Sequence, residues 1–215
     1  SCLDHLAGVA AALPEAILSV VLVLQPDPTG KAGPMPDPDG SLWPGLDLTV
    51  VRRTVPGVSA ARNAGLDRLG DRCDAIQFVD VAVRPTAGFL RAALARLGEA
   101  PLVTAPVAFQ ESPSAQGSGA PGGEATWPAY RVVFRGFVWS SLFRADAVAG
   151  IRFDETIGPG TPSRHQAGED SRFLHAVLAR HPLAGIPFLA EHPVARLPRG
   201  DLREKVARYA FGQGY

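Results

Sequence analysis

Leu3, Leu6, Val9, Ala10 and Leu13 recur at helical spacing and Pro14 closes the run, which predicts a helix over 2–13. Residues 17–24 then read ILSVVLVL, the near-continuous apolar run of a strand covered on both faces in a parallel sheet. A Pro-, Asp- and Gly-rich loop over 25–45 leads to a second strand at 47–53 and a helix at 59–69. A third strand at 75–80 (AIQFVD) ends on a carboxylate, a helix follows Pro85 over 86–97, and another strand runs 102–109. Residues 111–126 are low in complexity and predict a mobile loop. After an apolar, aromatic stretch at 132–143 and irregular chain at 151–168, a helix is expected at 169–180, with Phe173, Leu174, Val177 and Leu178 facing inward. A short strand at 186–189 and a helix at 201–211 complete the pattern. Strands alternate with helices throughout, so the fold class is an α/β sandwich with a mostly parallel sheet. The strands at 17–24, 48–53 and 75–79 are expected to be neighbours.

Composition narrows the setting. The 215 residues suit one domain over 1–215 with a sizeable core. Lys+Arg at 21 balances Asp+Glu at 21, so no net field recruits nucleic acid or an anionic membrane. Two cysteines build neither a disulfide framework nor a four-thiolate zinc site, and a reducing, cytoplasmic compartment is expected, in solution or peripheral to the membrane. No apolar run reaches the ~20 residues of a membrane span.

In open α/β sheets, ligands bind at the carboxyl ends of the strands. Three segments bring chemistry there. GVSAARNAGL (57–66) is a tight turn opening a helix, whose first amides suit a phosphate, and Arg62 adds a fork of donors. FVDVAVRP (78–85) delivers Asp80 to the end of a strand. AGEDSRFL (167–174) opens a helix on Glu169 and Asp170. Each has a plainer reading beside it. The acidic pair favours a helix start through capping and the helix dipole alone, Arg62 could be a solvated helix residue, and Asp80 could cap a turn. His165 reads as surface, Trp127 and Trp139 as core or acceptor-side packing, and Trp43 as either.

Taken in order, GVSAARNAGL, a strand ending in Asp before a Pro-led helix, FDETIGPG and GEDSRFL resemble the family 2 glycosyltransferases. The closing KVARYAFGQG is similar to that family's later helix and glycine pair, so the likeness runs from about Cys2 to Gly214. It implies a GT-A fold and transfer of a sugar from a nucleoside-diphosphate donor to an acceptor hydroxyl, with inversion. By that resemblance Asp170 is the general base and Glu169 its neighbour. Arg62, Asn63, Asp80 and Asp27 would border the nucleotide sugar, and Asp80 would open the Asp-x-Asp motif that holds a divalent cation, Mg²⁺ or Mn²⁺.

The chain departs from the pattern at three places. Asp-x-Asp reads Asp80-Val81-Ala82, so one carboxylate is gone. A hard cation is held by one or two carboxylates with phosphates and water, so either Asp80 alone serves or an arginine supplies part of the charge. The acidic pair after the 17–24 strand reads Gln25-Pro26, with Asp27 the nearest carboxylate, and the family's late histidine falls near Arg196, with His192 close. The resemblance also implies a central strand ahead of Cys2, so residues upstream of Ser1 are expected.

Two rival readings remain. Gly57-Val58-Ser59-Ala60-Ala61 approximates the nucleophile elbow of α/β hydrolases, and Ser59, Asp170 and His192 follow that chain order, although no HGGG-like oxyanion segment is present. Alternatively, the loss at Ala82 marks a catalytically degenerate domain that binds a nucleotide or a partner.

Overall fold

The computed structural model describes residues 1–27, 36–105, 107–110, 137–186 and 190–193. The first helix, α1 (Cys2–Ala11), is capped by the Ser1 hydroxyl, which accepts from the Asp4 amide, and it buries Leu3, Leu6 and Val9. Strand β1 (Leu18–Leu24) pairs in parallel with β2 (Leu46–Arg52), in register from Leu18 opposite Leu46 to Leu24 opposite Arg52. Helix α2 (Val58–Leu69) then runs back across β1. After β3 (Ala75–Ile76), helix α3 (Ala87–Arg96) starts on Thr86, whose hydroxyl accepts from the Phe89 amide. Next come β4 (Leu102–Thr104), β5 (Val107–Gln110), β6 (Ser141–Arg144), α4 (Glu169–Leu178), β7 (Leu183–Gly185) and β8 (Ala190–Pro193).

The strands form a sheet in the order β3-β6-β4-β7 beside the separate pairs β1-β2 and β5-β8. Side chains alternate across the four-stranded sheet, as a two-residue period demands. Leu102 and Phe143 face a core with Leu66 of α2 and Phe173, Leu174 and Val177 of α4, while Val103 and Leu142 face Val9, Phe89, Leu90 and Ala93 from α1 and α3. Helices therefore cover both faces of the sheet. The expected α/β sandwich is present, and three of its five described ladders are parallel.

Three expectations are corrected. The 75–79 strand is not a neighbour of the other two: only Ala75 and Ile76 enter a ladder, and their partner is the antiparallel β6. No ladder joins β1-β2 to the four-stranded sheet among the described residues, so β1 has a strand on one side only. For the same reason β1 is half-covered rather than buried on both faces; Leu24 alone is buried, and the adjoining Ile17 is 91% exposed. Residues 102–109, read as one strand, divide into β4 and β5. The expectations for 111–126, Trp127, Arg196 and the helix at 201–211 lie outside the described residues, and His192 is placed only as a member of β8.

Candidate functional site

The site is organised by the start of α2. Gly57 precedes this helix at φ 146°, a conformation open to glycine, and its amide donates to the Gln25 side chain at 3.0 Å. The Val58 amide donates to the Pro159 carbonyl at 3.0 Å. Residues 158–160 lie directly on this turn. A Cβ at Gly158 (φ +102°) would stand 3.1 Å from Ser59 Oγ and 3.2 Å from Glu169 Cδ, and one at Gly160 (φ +82°) 3.2 Å from the Gly57 nitrogen. The helix start expected to cradle a phosphate is thus covered by the protein's own loop. Ser59 is fully buried and its hydroxyl donates to the Ile157 carbonyl at 2.8 Å. A nucleophile must be reachable and activated by a base, so the hydrolase reading falls.

One helical turn further, Arg62 gathers three carboxylates from distant parts of the chain. Nη1 donates to Asp170 Oδ1 at 2.5 Å and lies 3.6 Å from Glu169 Oε1, and Nη2 donates to Asp80 Oδ1 at 3.2 Å. The guanidinium lies over the Phe153 ring, 5.1 Å from its centroid. Asp170 Oδ2 accepts from the Val138 amide at 3.2 Å. Glu169 and Asp170 occupy the first turn of α4, where the helix dipole favours anions, behind Gly168 at φ 98°. Both are buried, whereas the Asp80 side chain is 39% exposed.

Burial sets the electrostatics here. It pushes the Glu169 carboxyl up to about 7, the Asp170 charge adds to the rise, and Arg62 opposes it. Burial likewise raises Asp170, against the pull of Arg62. For Arg62 itself, burial works against the charge, but the three carboxylates outweigh it and its pKa rises. A carboxylate poised near neutrality beside a second one is a common arrangement for proton transfer.

Asn63 turns inward. Its Nδ2 donates to the Phe153 carbonyl (3.0 Å) and to Glu155 (2.9 Å), and its Oδ1 accepts from the Phe153 amide (2.9 Å). It latches the 153–155 segment onto α2. Asp27 lies three residues beyond Leu24 at the carboxyl end of β1. Trp139 is core: it is 3% exposed, and its carbonyl accepts from Gln77. No group of three or more His, Cys, Asp or Glu among the described residues could by itself hold a metal. Asp80 is the carboxylate that fits a shared ion, being partly exposed and tied to Arg62 through one oxygen.

Arg53 escaped the sequence reading. It follows β2, its amide donates to the Leu24 carbonyl, and its buried Nε has no hydrogen-bond partner among the described residues. The available signal was an arginine pair closing an apolar strand ahead of Pro56 and Gly57.

No protein-family model and no curated protein sequence matches the chain. Solved structures do. TarS 1-349 of S. aureus in complex with UDP-GlcNAc superimposes with a TM-score of 0.60 at 16% identity, over 90% of this chain and 54% of that one. TarS 1-349 in complex with UDP gives 0.59 at 16% identity, over 98% and 60%. A further crystal structure of S. aureus TarS gives 0.62 at 15% identity, over 97% and 39%. The likeness shows the fold. The chain has a glycosyltransferase-like fold of GT-A type and spans between about two-fifths and three-fifths of these TarS chains. No helix among the described residues is long and apolar enough to cross a membrane.

Proposed function

We propose that this chain transfers a sugar from a nucleoside-diphosphate donor to an acceptor hydroxyl with inversion. One observation carries the reading: on a GT-A-like fold, a single buried guanidinium brackets a nearly buried carboxylate at a helix start, Asp170, and a partly exposed one, Asp80. That pairing separates the two jobs an inverting transfer needs. Asp170 takes the acceptor's proton as its oxygen attacks the anomeric carbon. The bond from that carbon to the diphosphate oxygen breaks on the opposite face, and the diphosphate leaves with the bond's electron pair. Structures of the similar TarS hold UDP-GlcNAc and UDP, which supports a nucleotide-sugar donor here.

Asp80 would hold a divalent cation together with the diphosphate, and that ion would supply positive charge to the leaving group. Asp27 and Arg53 would face the donor from the ends of β1 and β2. Arg53 follows β2 at its carboxyl end, the side of an open α/β sheet on which ligands bind. Arg53→Ala is therefore expected to weaken donor affinity about 10- to 100-fold, by calorimetry, with kcat nearly unchanged. Asp80→Asn is expected to lower turnover only where wild-type turnover responds to Mg²⁺ or Mn²⁺, so parallel metal titrations of both proteins check it.

The deciding experiment is calorimetric titration with uridine, guanosine and thymidine diphosphate sugars, followed by transfer assays with the donor that binds. Binding without transfer or hydrolysis would favour the second reading, a catalytically degenerate domain. The observation behind that reading is Ala82 in place of the second aspartate.

A further inference from the structure

Arg62 is built into the protein more firmly than a ligand-facing arginine needs to be. Its side chain is 9% exposed, and both terminal nitrogens are engaged by carboxylates. Below it the Phe153 ring stacks on Phe173, with centroids 4.1 Å apart and planes 6° from parallel, and Phe173 belongs to α4, the helix that carries Asp170. The next residue, Asn63, fastens the backbone of Phe153 to α2. The guanidinium is thus held from α2, from the 153 segment and from α4 together.

Asp170 is fixed at both oxygens: Oδ1 accepts from Arg62 and Oδ2 from the Val138 amide. Each carboxylate oxygen has two lone-pair directions, so two donors orient the group and still leave lone pairs to accept a proton. The fork matters as well as the charge, because a lysine ammonium is a point charge without the planar geometry that spans Asp170 and Asp80.

We propose that Arg62 is a positioning residue and not a donor ligand: it orients Asp170 for the acceptor's proton and ties it to Asp80 on the donor side. This rests on the transfer reading above. A misplacement of about 1 Å can cost on the order of 10² in rate.

The test uses the full chain with Arg62→Lys and, as a neutral second variant, Arg62→Gln. Two readouts are followed: hydrogen exchange of the Val138 amide without ligand, and kinetics with the donor found in the sugar-nucleotide panel. Positioning predicts Val138 exchange at least about tenfold faster in both variants while β4 and β6 amides stay protected. It also predicts kcat down on the order of 10²-fold with donor Kd within about threefold, and Arg62→Lys recovering little. A donor Kd raised tenfold or more with Val138 protection intact would overturn the proposal and make Arg62 a donor ligand. Unchanged Val138 exchange and kcat would overturn it too, leaving a structural ion pair. Should the wild-type chain bind no sugar nucleotide, the transfer reading fails by itself, and Val138 exchange still upholds or overturns the positioning.

Discussion

Asp170→Asn is expected to reduce sugar transfer by about 10²–10⁴-fold while leaving donor affinity nearly unchanged. The substitution keeps the shape and removes the charge and the ability to accept a proton. The amide can still present its carbonyl to the Val138 N–H or to Arg62, but not to both as a carboxylate does. Because burial raises the pKa of Asp170 and Arg62 opposes that rise, the wild-type carboxylate should titrate at a higher pH than an ordinary aspartate. The acid limb of the kcat profile should accordingly lie above the usual carboxylate range and vanish in the variant. Steady-state kinetics across pH with the cognate donor and acceptor measure both effects. Full turnover by Asp170→Asn would sink the assignment, and Glu169, poised near neutrality on the same turn, would be the next base to examine.

The sequence made the elements and the chemistry-bearing turns legible because those signals are local. Helical spacing in Leu3, Leu6 and Val9 and the Gly168-Glu169-Asp170 helix start appear in the structure where the pattern placed them. The partners of Arg62 were not legible, because Asp170 lies 108 residues away and no local rule pairs them. The same distance hid the role of Asn63, whose partners lie about ninety residues on. At the start of α2 the helix was read correctly, but the loop that packs on its first turn was not. Nothing in GVSAARNAGL shows that Gly158 and Gly160, both at positive φ, let another loop approach within van der Waals contact. The sheet failed for a related reason: β3 reads as a five- or six-residue strand, but a strand is defined by its partner, and only Ala75 and Ile76 have one.

Removing the buried cation is expected to cost about 3–5 kcal/mol of folding free energy at neutral pH, as measured for broken buried ion pairs. Against the roughly 5–15 kcal/mol that holds a domain together, Arg62→Met should therefore keep its fold with a clearly lower unfolding midpoint. The loss should shrink on acidification, and the sign follows from the carboxylates left behind. In the wild type the Glu169 carboxyl already sits at about 7, above its ordinary 4.5, because burial and the charge of Asp170 outweigh Arg62. For a group raised in the folded state, the stability it contributes is fully present below the unfolded value and is lost as pH rises through the folded one. Wild-type stability should thus fall by roughly 3 kcal/mol between about pH 4.5 and 7 from Glu169, with Asp170 acting in the same sense. Without Arg62 only backbone hydrogen bonds oppose burial and the mutual repulsion of Asp80, Glu169 and Asp170, so the fall becomes steeper and extends to higher pH. Glu169→Gln mimics the protonated acid; it should flatten the wild-type slope and restore part of the stability lost by Arg62→Met. Urea unfolding of the wild type, the two single variants and the double variant at about pH 5, 6.5 and 8 reads the outcome directly. A wild type that gained stability over that range would show the carboxylate cluster to be solvated, and the electrostatic basis of the site would have to be abandoned.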